Sequence, residues 1–161
     1  MEKGNHMDLS DLIAPEAVIP ALKANSKKQV LQIMAEKVAS LTGLDAHTVL
    51  ETILQREKLG STGVGNGIAI PHGKLNNVDR IIGVFARLET PVDFEALDDE
   101  PVDLVFLLLA PESAGADHLK ALSRIARVLR DSDMVQKLRN THDAAAIHTF
   151  LTQHPAASNA A

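Results

Sequence analysis

Residues 59–75 read LGSTGVGNGIAIPHGKL. Five of the chain's nine glycines fall in this stretch: Gly60, Gly63, Gly65, Gly67 and Gly73. It closes on one histidine, His72, held between Pro71 and Gly73. Glycine admits positive φ and lets backbone approach a ligand closely. Successive free N–H groups in such a loop form an anion-binding concavity. The short apolar run Ile68, Ala69 and Ile70 reads as a strand that delivers a stiff proline and a titratable imidazole. The stretch therefore reads as a phosphate cradle, built from Gly63, Gly65 and Gly67 with the Ser61 and Thr62 hydroxyls as donors, beside a nucleophile at His72. The two hydroxyls are equally suited to bonding their own backbone in a turn.

Two nucleotide motifs are excluded here. The dinucleotide fingerprint would need glycine at 68 after Gly63 and Gly65, and 68 is Ile. A Walker A loop would need glycine at 68 before Gly73 and Lys74 and Ser or Thr at 75, where the chain has Ile68 and Leu75.

Working outward toward the N-terminus, a helix capped by Asp45 carries an apolar face from Val49, Leu50, Ile53 and Leu54. That helix ends at Arg56, Glu57 and Lys58, so Arg56 stands where its guanidinium can turn onto the loop and hold phosphoryl oxygens in a bidentate manner; a surface arginine paired to a carboxylate is the alternative. An earlier helix opens at Ser26, with Gln29 completing a capping box. It carries Val30, Leu31, Met34, Val38 and Leu41 at helical spacing and stops at Gly43. Residues 17–22 contain Pro20 and are expected to be an edge strand.

On the C-terminal side, residues 81–88 read as a strand and 90–94 as a short extended piece. Residues 97–100 form an acidic turn, solvated rather than metal-binding. Residues 102–109, VDLVFLLL, read as a strand buried on both faces; the run falls far short of the roughly 20 residues a membrane helix needs. A helix follows from about Asp117, placing His118 in its first turn. A helix N-terminus disfavours imidazolium, so a neutral ring there could donate to a phosphate. A solvent-facing histidine is the plain alternative. Shorter helices are expected at 131–138 and, capped by Asp143, at the C-terminal end. His6, His47, His142, His148 and His154 carry no pattern that suggests function.

Composition narrows the classes. At 161 residues, one domain is the prior, and such a chain can bury roughly 68–70% of its unfolded surface. No cysteine is present, which removes disulfides, thiol catalysis and cysteine metal sites and fits a reducing cytoplasm. Net charge is −5 and phenylalanine is the only aromatic, so nucleic-acid binding is not expected. No signal peptide or membrane insertion is expected. No three-ligand metal set is visible, and no cofactor is expected. Residues 1–7 read as disordered or expression-derived, 8–154 as the domain, and 155–161 as a frayed tail.

The segment GSTGVGNGIAIPHGK resembles the active-site signature of the IIA proteins of the bacterial phosphotransferase system, in the fructose/mannitol/nitrogen-regulatory branch. Arg56 and Glu57 match the piece preceding that signature, and Pro111, Glu112 and the run Asp117, His118, Leu119 resemble the segment carrying a second histidine. The resemblance runs from about Leu9 to about Thr152 and is closest to the nitrogen-regulatory subgroup. It implies an α/β fold with a mixed sheet of about five strands between helices. It implies that His72 is phosphorylated, through Nε2, while His118 and Arg56 stabilise the phosphoryl group. It further implies a nitrogen-type histidine phosphocarrier as donor, with sensor kinases or potassium transport components as regulated partners. Two alternatives stay open: a sugar-specific phosphocarrier that feeds a membrane permease, and a non-catalytic module that senses a phosphorylated metabolite. If the strands preceding His72 and His118 run parallel, both rings reach one crevice beyond the strands' carboxyl ends.

Overall fold

The computed structural model describes residues 8–153; the readings for residues 1–7, His6, His154 and the tail lie outside them. Two short 3-10 segments, Leu9–Asp11 and Pro15–Ala17, lead into β1 (Val18–Leu22). Then come α1 (Lys27–Thr42), α2 (Ala46–Glu57), β2 (Gly63–Gly65), β3 (Ile68–Ala69), β4 (His72–Leu75), β5 (Ile82–Val92) and β6 (Val102–Pro111). Helices α3 (Ala116–Val128), α4 (Ser132–Arg139) and α5 (Ala144–Gln153) close the chain.

The sheet is mixed, as expected, with six strands rather than about five. Its order is β1-β5-β6-β3-β2, and β4 also pairs with β6. β6 is the centre: it runs antiparallel to β5 and parallel to both β3 and β4. Every residue from Leu104 to Leu109 is fully buried. Successive strand side chains point to opposite faces, so both faces of the sheet are covered. β1, with Pro20, is an edge strand, the position where a missing N–H is tolerated.

Local signals explain most helix ends. In α1, Val30, Leu31, Met34, Ala35 and Val38 form the buried stripe, and Gly43 ends the helix at φ 81° with its N–H on Ala39 O. Ser26 accepts the Gln29 N–H at 3.2 Å. The Gln29 side chain accepts from Asn25 N–H at 2.7 Å, one residue earlier than the expected box would place it. Asp45 and Asp143 cap α2 and α5.

Two strands escaped the sequence reading, and both matter for the site. β2 and β3 form a hairpin through Gly65, Asn66 and Gly67, whose φ angles are 104°, 59° and 80°. Charged side chains clamp this turn from both sides: Asp98 accepts the Asn66 N–H at 3.0 Å, and Arg139 donates to Asn66 O at 2.6 Å. Arg139 is itself held by Asp103 at 2.9 Å. The second unexpected strand begins at His72. Pro71 interrupts the ladder after β3, its carbonyl accepts Leu108 N–H at 2.9 Å, and the chain resumes pairing with His72 opposite Leu108. His72 thus lies in a strand rather than beyond one.

A Cβ at position 67 would collide with the Arg139 guanidinium and would sit at φ 80°. Gly67→Ala is expected to lower stability by about 1–3 kcal/mol, read as a lower urea midpoint with an unchanged slope.

Candidate active site

His72 is fixed by its own strand. Its Nδ1 lies 2.9 Å from Ile70 O. A carbonyl can only accept, so Nδ1 carries the proton and Nε2 keeps a free lone pair. The ring is partly buried. Gly73, the next residue, lets α2 come close: a Cβ there would stand 2.8 Å from Thr52 Cγ2. This approach brings the C-terminal turn of α2, with Arg56, beside the imidazole.

His118 comes from the third position of α3, after the loop that leaves β6. Its ring centroid is 5.6 Å from that of His72, at an interplanar angle of 58°. The two histidines, 46 positions apart in the chain (118 − 72), therefore share one crevice, and the strands that precede them, β3 and β6, run parallel as that required. His118 is buried rather than solvent-facing, at 6% exposure. Its Nδ1 is buried with no hydrogen-bond partner. A buried unpaired N–H is rarer than an unpaired acceptor. That favours the tautomer with Nδ1 bare and an N–H on Nε2.

The crevice, about 430 Å³, is lined by Thr52, Gln55, Arg56, Leu59, His72, Gly73, Lys74 and His118. Arg56 Nη1 donates to Gly60 O at 3.0 Å, which folds the turn after α2 and keeps the guanidinium at the crevice wall. Partial burial is the main cause that pushes the His72 pKa below its usual value; the Arg56 charge pushes the same way, while the Ile70 carbonyl and Glu57 oppose. Burial also lowers His118, followed by the charges of His72 and Lys74. Both rings are held toward the neutral form, and a neutral imidazole is the nucleophilic one.

The structure does not bring the expected glycine cradle to His72. Gly63 packs on Ala96, and Gly65 faces Asp98 and a separate cavity of about 700 Å³ beside Leu129 and Arg130. Gly67 faces Arg139 and Asp103. The Ser61 hydroxyl donates to Phe94 O at 2.6 Å, and the Thr62 hydroxyl donates to Glu57. These residues build the hairpin behind the site. Sequence reading missed the buried Glu57 and the crevice-lining Lys74. The only sequence signal for either was adjacency, to Arg56 in one case and to the Pro71–Gly73 run in the other.

The other described histidines serve the scaffold or face solvent. His148 Nε2 donates to Ile13 O at 2.9 Å, and His142 Nε2 accepts from Arg87 at 2.9 Å. His47 is exposed in the first turn of α2. Among the described residues, no group of three or more His, Asp or Glu is placed to hold a metal ion, and no helix is long and apolar enough to cross a membrane.

The mixed sheet thus brings two neutral-leaning histidines and an arginine into one shallow crevice, an α/β arrangement that pairs an imidazole nucleophile with a cation. Residues 11–154 match the family described as phosphoenolpyruvate-dependent sugar phosphotransferase system, EIIA 2, and the chain belongs to that family. It is 63% identical over 150 residues to a nitrogen regulatory protein of Bradyrhizobium diazoefficiens, covering 93% of this chain and 98% of that one. It is 42% identical over 147 residues to the nitrogen regulatory protein of Escherichia coli K12, covering 91% and 90%. The crystal structure of nitrogen regulatory protein IIA-Ntr from Neisseria meningitidis superposes with a TM-score of 0.85 at 33% identity, covering 89% of this chain and 99% of that one.

The two lowered histidine values set the sign of the pH dependence. Below the usual 6.5, the unfolded chain takes up protons that the folded rings resist. Their contribution to stability is therefore complete above about 6.5 and is lost as pH falls through the lowered folded values. Urea midpoints measured from about pH 8 down to about pH 5 should fall across that window. The fall should be shallower in His72→Asn and in His118→Asn.

Proposed function

We propose that this chain is a phosphocarrier and regulator of the nitrogen-type phosphotransferase system. It accepts a phosphoryl group on His72 Nε2 from a histidine phosphocarrier protein and signals through the charge so acquired. The observation that carries this reading is the His72 ring itself. Its Nδ1–H is committed to Ile70 O, its Nε2 lone pair is free, and His118 stands 5.6 Å away.

The neutral Nε2 attacks the phosphorus of the donor's phosphohistidine. A new N–P bond forms at His72 as the donor's N–P bond breaks, and that bond's electron pair returns to the donor ring. No proton need move at His72. The product ring carries a positive charge, and the Nδ1–H bond to Ile70 O stabilises it. Charge on the phosphoryl oxygens in the loose transition state is met by the Arg56 guanidinium and an imidazole N–H of His118, both pre-positioned. Lys74 adds a further positive charge at the crevice edge.

A protein donor suits the surroundings better than a small metabolite does. Leu59, at 83% exposure, lines the crevice, and Leu119, at 67% exposure, directly follows His118 in α3; exposed apolar surface rimmed by polar groups marks protein contacts. Phosphorylation places close to two negative charges within that apolar surface. The charge discriminates between partners that accept a dianion and partners that reject it. Regulated partners in this reading are sensor kinases or potassium transport components. The names of the most similar relatives favour the nitrogen branch over sugar uptake, and the reading places the protein in the cytoplasm.

The test is intact-protein mass after incubation with phosphoenolpyruvate, enzyme I and a histidine phosphocarrier, run separately with nitrogen-branch and sugar-branch components. One acid-labile phosphoryl group is expected on the wild type, acquired faster from the nitrogen branch and absent from His72→Ala. Arg56→Ala and His118→Ala should slow acquisition roughly a hundredfold. Faster transfer from the sugar branch would reassign the pathway. No added mass with either set would overturn the carrier reading in favour of phosphate sensing.

A further inference from the structure

A buried polar chain runs through the scaffold behind the site and ends on His72. Lys27 Nζ, at the start of α1, lies 2.8 Å from Glu57 Oε1 at the end of α2. The Glu57 side chain is only 5% exposed. Its carboxylate accepts the Thr62 N–H at 3.2 Å and also the Thr62 hydroxyl. The Thr62 carbonyl accepts the Ile70 N–H at 3.0 Å. The Ile70 carbonyl then takes the Nδ1–H of His72 at 2.9 Å. Each link joins a different piece of the chain: α1 to α2, α2 to the loop before β2, that loop to the residue after β3, and that residue to the ring.

We propose that Glu57 is a positioning residue for His72, acting through Thr62 and residue 70 to hold the carbonyl that fixes the Nδ1–H tautomer and aims Nε2 into the crevice. Its consequence for rate rests on the phosphocarrier reading; its consequence for the ring is a property of the unmodified protein.

The chemistry asks for a carboxylate at this place. Thr62 presents two donors, its N–H and its hydroxyl, to one buried side chain. A carboxylate offers two acceptor oxygens and no donor. A glutamine would offer one acceptor and one amide donor, so one link would weaken or reverse. The neighbourhood has its own anchors, so losing this chain moves the ring rather than unravelling the loop. Ser61 is tied to Phe94 O at 2.6 Å and accepts the Gly63 N–H at 3.0 Å. Lys27 also reaches Phe94 O at 3.5 Å and Glu95 at 3.7 Å, so it keeps partners when Glu57 is neutralised.

The experiment is imidazole 15N NMR on the full, unphosphorylated chain, paired with the rate of phosphoryl transfer to His72. The variants are Glu57→Gln, Thr62→Val and Thr62→Ser. Val128→Ala, at the far end of α3, serves as a control for lost stability alone. The wild-type His72 ring should show the Nδ1–H tautomer. Glu57→Gln and Thr62→Val should shift it to a mixed population and slow transfer about tenfold, the scale expected for a misaimed reacting group. Thr62→Ser should restore both, and Val128→Ala should melt earlier with both unchanged. Unchanged ring shifts in Glu57→Gln and Thr62→Val, or an equal change in Val128→Ala, would overturn the proposal and leave the chain as a structural clip. A tautomer response in a wild-type protein that accepts no phosphoryl group would instead sustain the positioning and sink the carrier reading.

Discussion

The molecule depends on the pairing of β6 with β4. β6 is a ten-residue strand buried along nearly its whole length, and it pairs with each of β3, β4 and β5. Its burial is driven by removing a continuous run of large apolar side chains from water, and no charged residue interrupts the run after Asp103. Because β4 lies parallel to it with His72 opposite Leu108, the first histidine is pinned to the centre of the sheet rather than to a mobile loop. The same strand, a few residues on, feeds the loop into α3 and so sets the second histidine. One hydrophobic strand thereby fixes both ends of the 5.6 Å relation between the rings. A site built on such elements loses little precision to loop motion.

The sequence already singled out His72, His118 and Arg56, which the fold brings to one crevice, but the framework that holds them was read only in part. The run at 102–109 announced its burial through composition alone. His72, His118 and Arg56 stood out because each ends or begins an element whose type was clear. The glycine block was misread for a physical reason: a sequence dense in glycine says that the backbone must take unusual angles, not why. A phosphate cradle and a tight hairpin make the same request. What decides between them is tertiary. Asp98 and Arg139 grip the Asn66 backbone from 32 and 73 positions away, and no local pattern encodes either. β4 was missed because Pro71, His72 and Gly73 look like a strand's end. Their pairing is imposed by the part of β6 that continues past its ladder with β3 rather than by propensity.

The crevice balances two opposed electrostatic demands. A nucleophilic histidine must stay neutral, and partial burial with a nearby guanidinium achieves this. In the proposed phosphocarrier reading, the phosphorylated ring would bear a positive charge and a dianionic group, and both would need compensation. In that reading the Ile70 carbonyl serves the ring in both states, while Arg56, which disfavours the His72 imidazolium, also favours the phosphoryl dianion. The Arg56 charge therefore acts in the same direction before and after the proposed transfer: it disfavours protonation of His72, then favours the product. Neither effect requires a side chain to move. Positioning of this kind lowers a barrier without reorganisation at the moment of reaction.

The Glu57–Lys27 pair fits poorly as a stabilising device and well as a positioning one. Burying two charges costs desolvation that their mutual attraction often only offsets, and apolar replacements of similar shape are frequently neutral or better for stability. An apolar pair at 27 and 57 would still pack α1 against α2. It would, however, leave the Thr62 N–H and hydroxyl without acceptors, and the register between residues 62 and 70 would rest on a single backbone bond. The ring of His72 sits two residues beyond that register. A hydrophobic core fixes where strands lie but constrains rotation of a peptide carbonyl weakly, because apolar contacts have little direction. Hydrogen bonds to a carboxylate are directional, and charge assistance strengthens them. The ion pair is thus best understood as the place where the scaffold converts non-directional packing into a defined orientation for one imidazole.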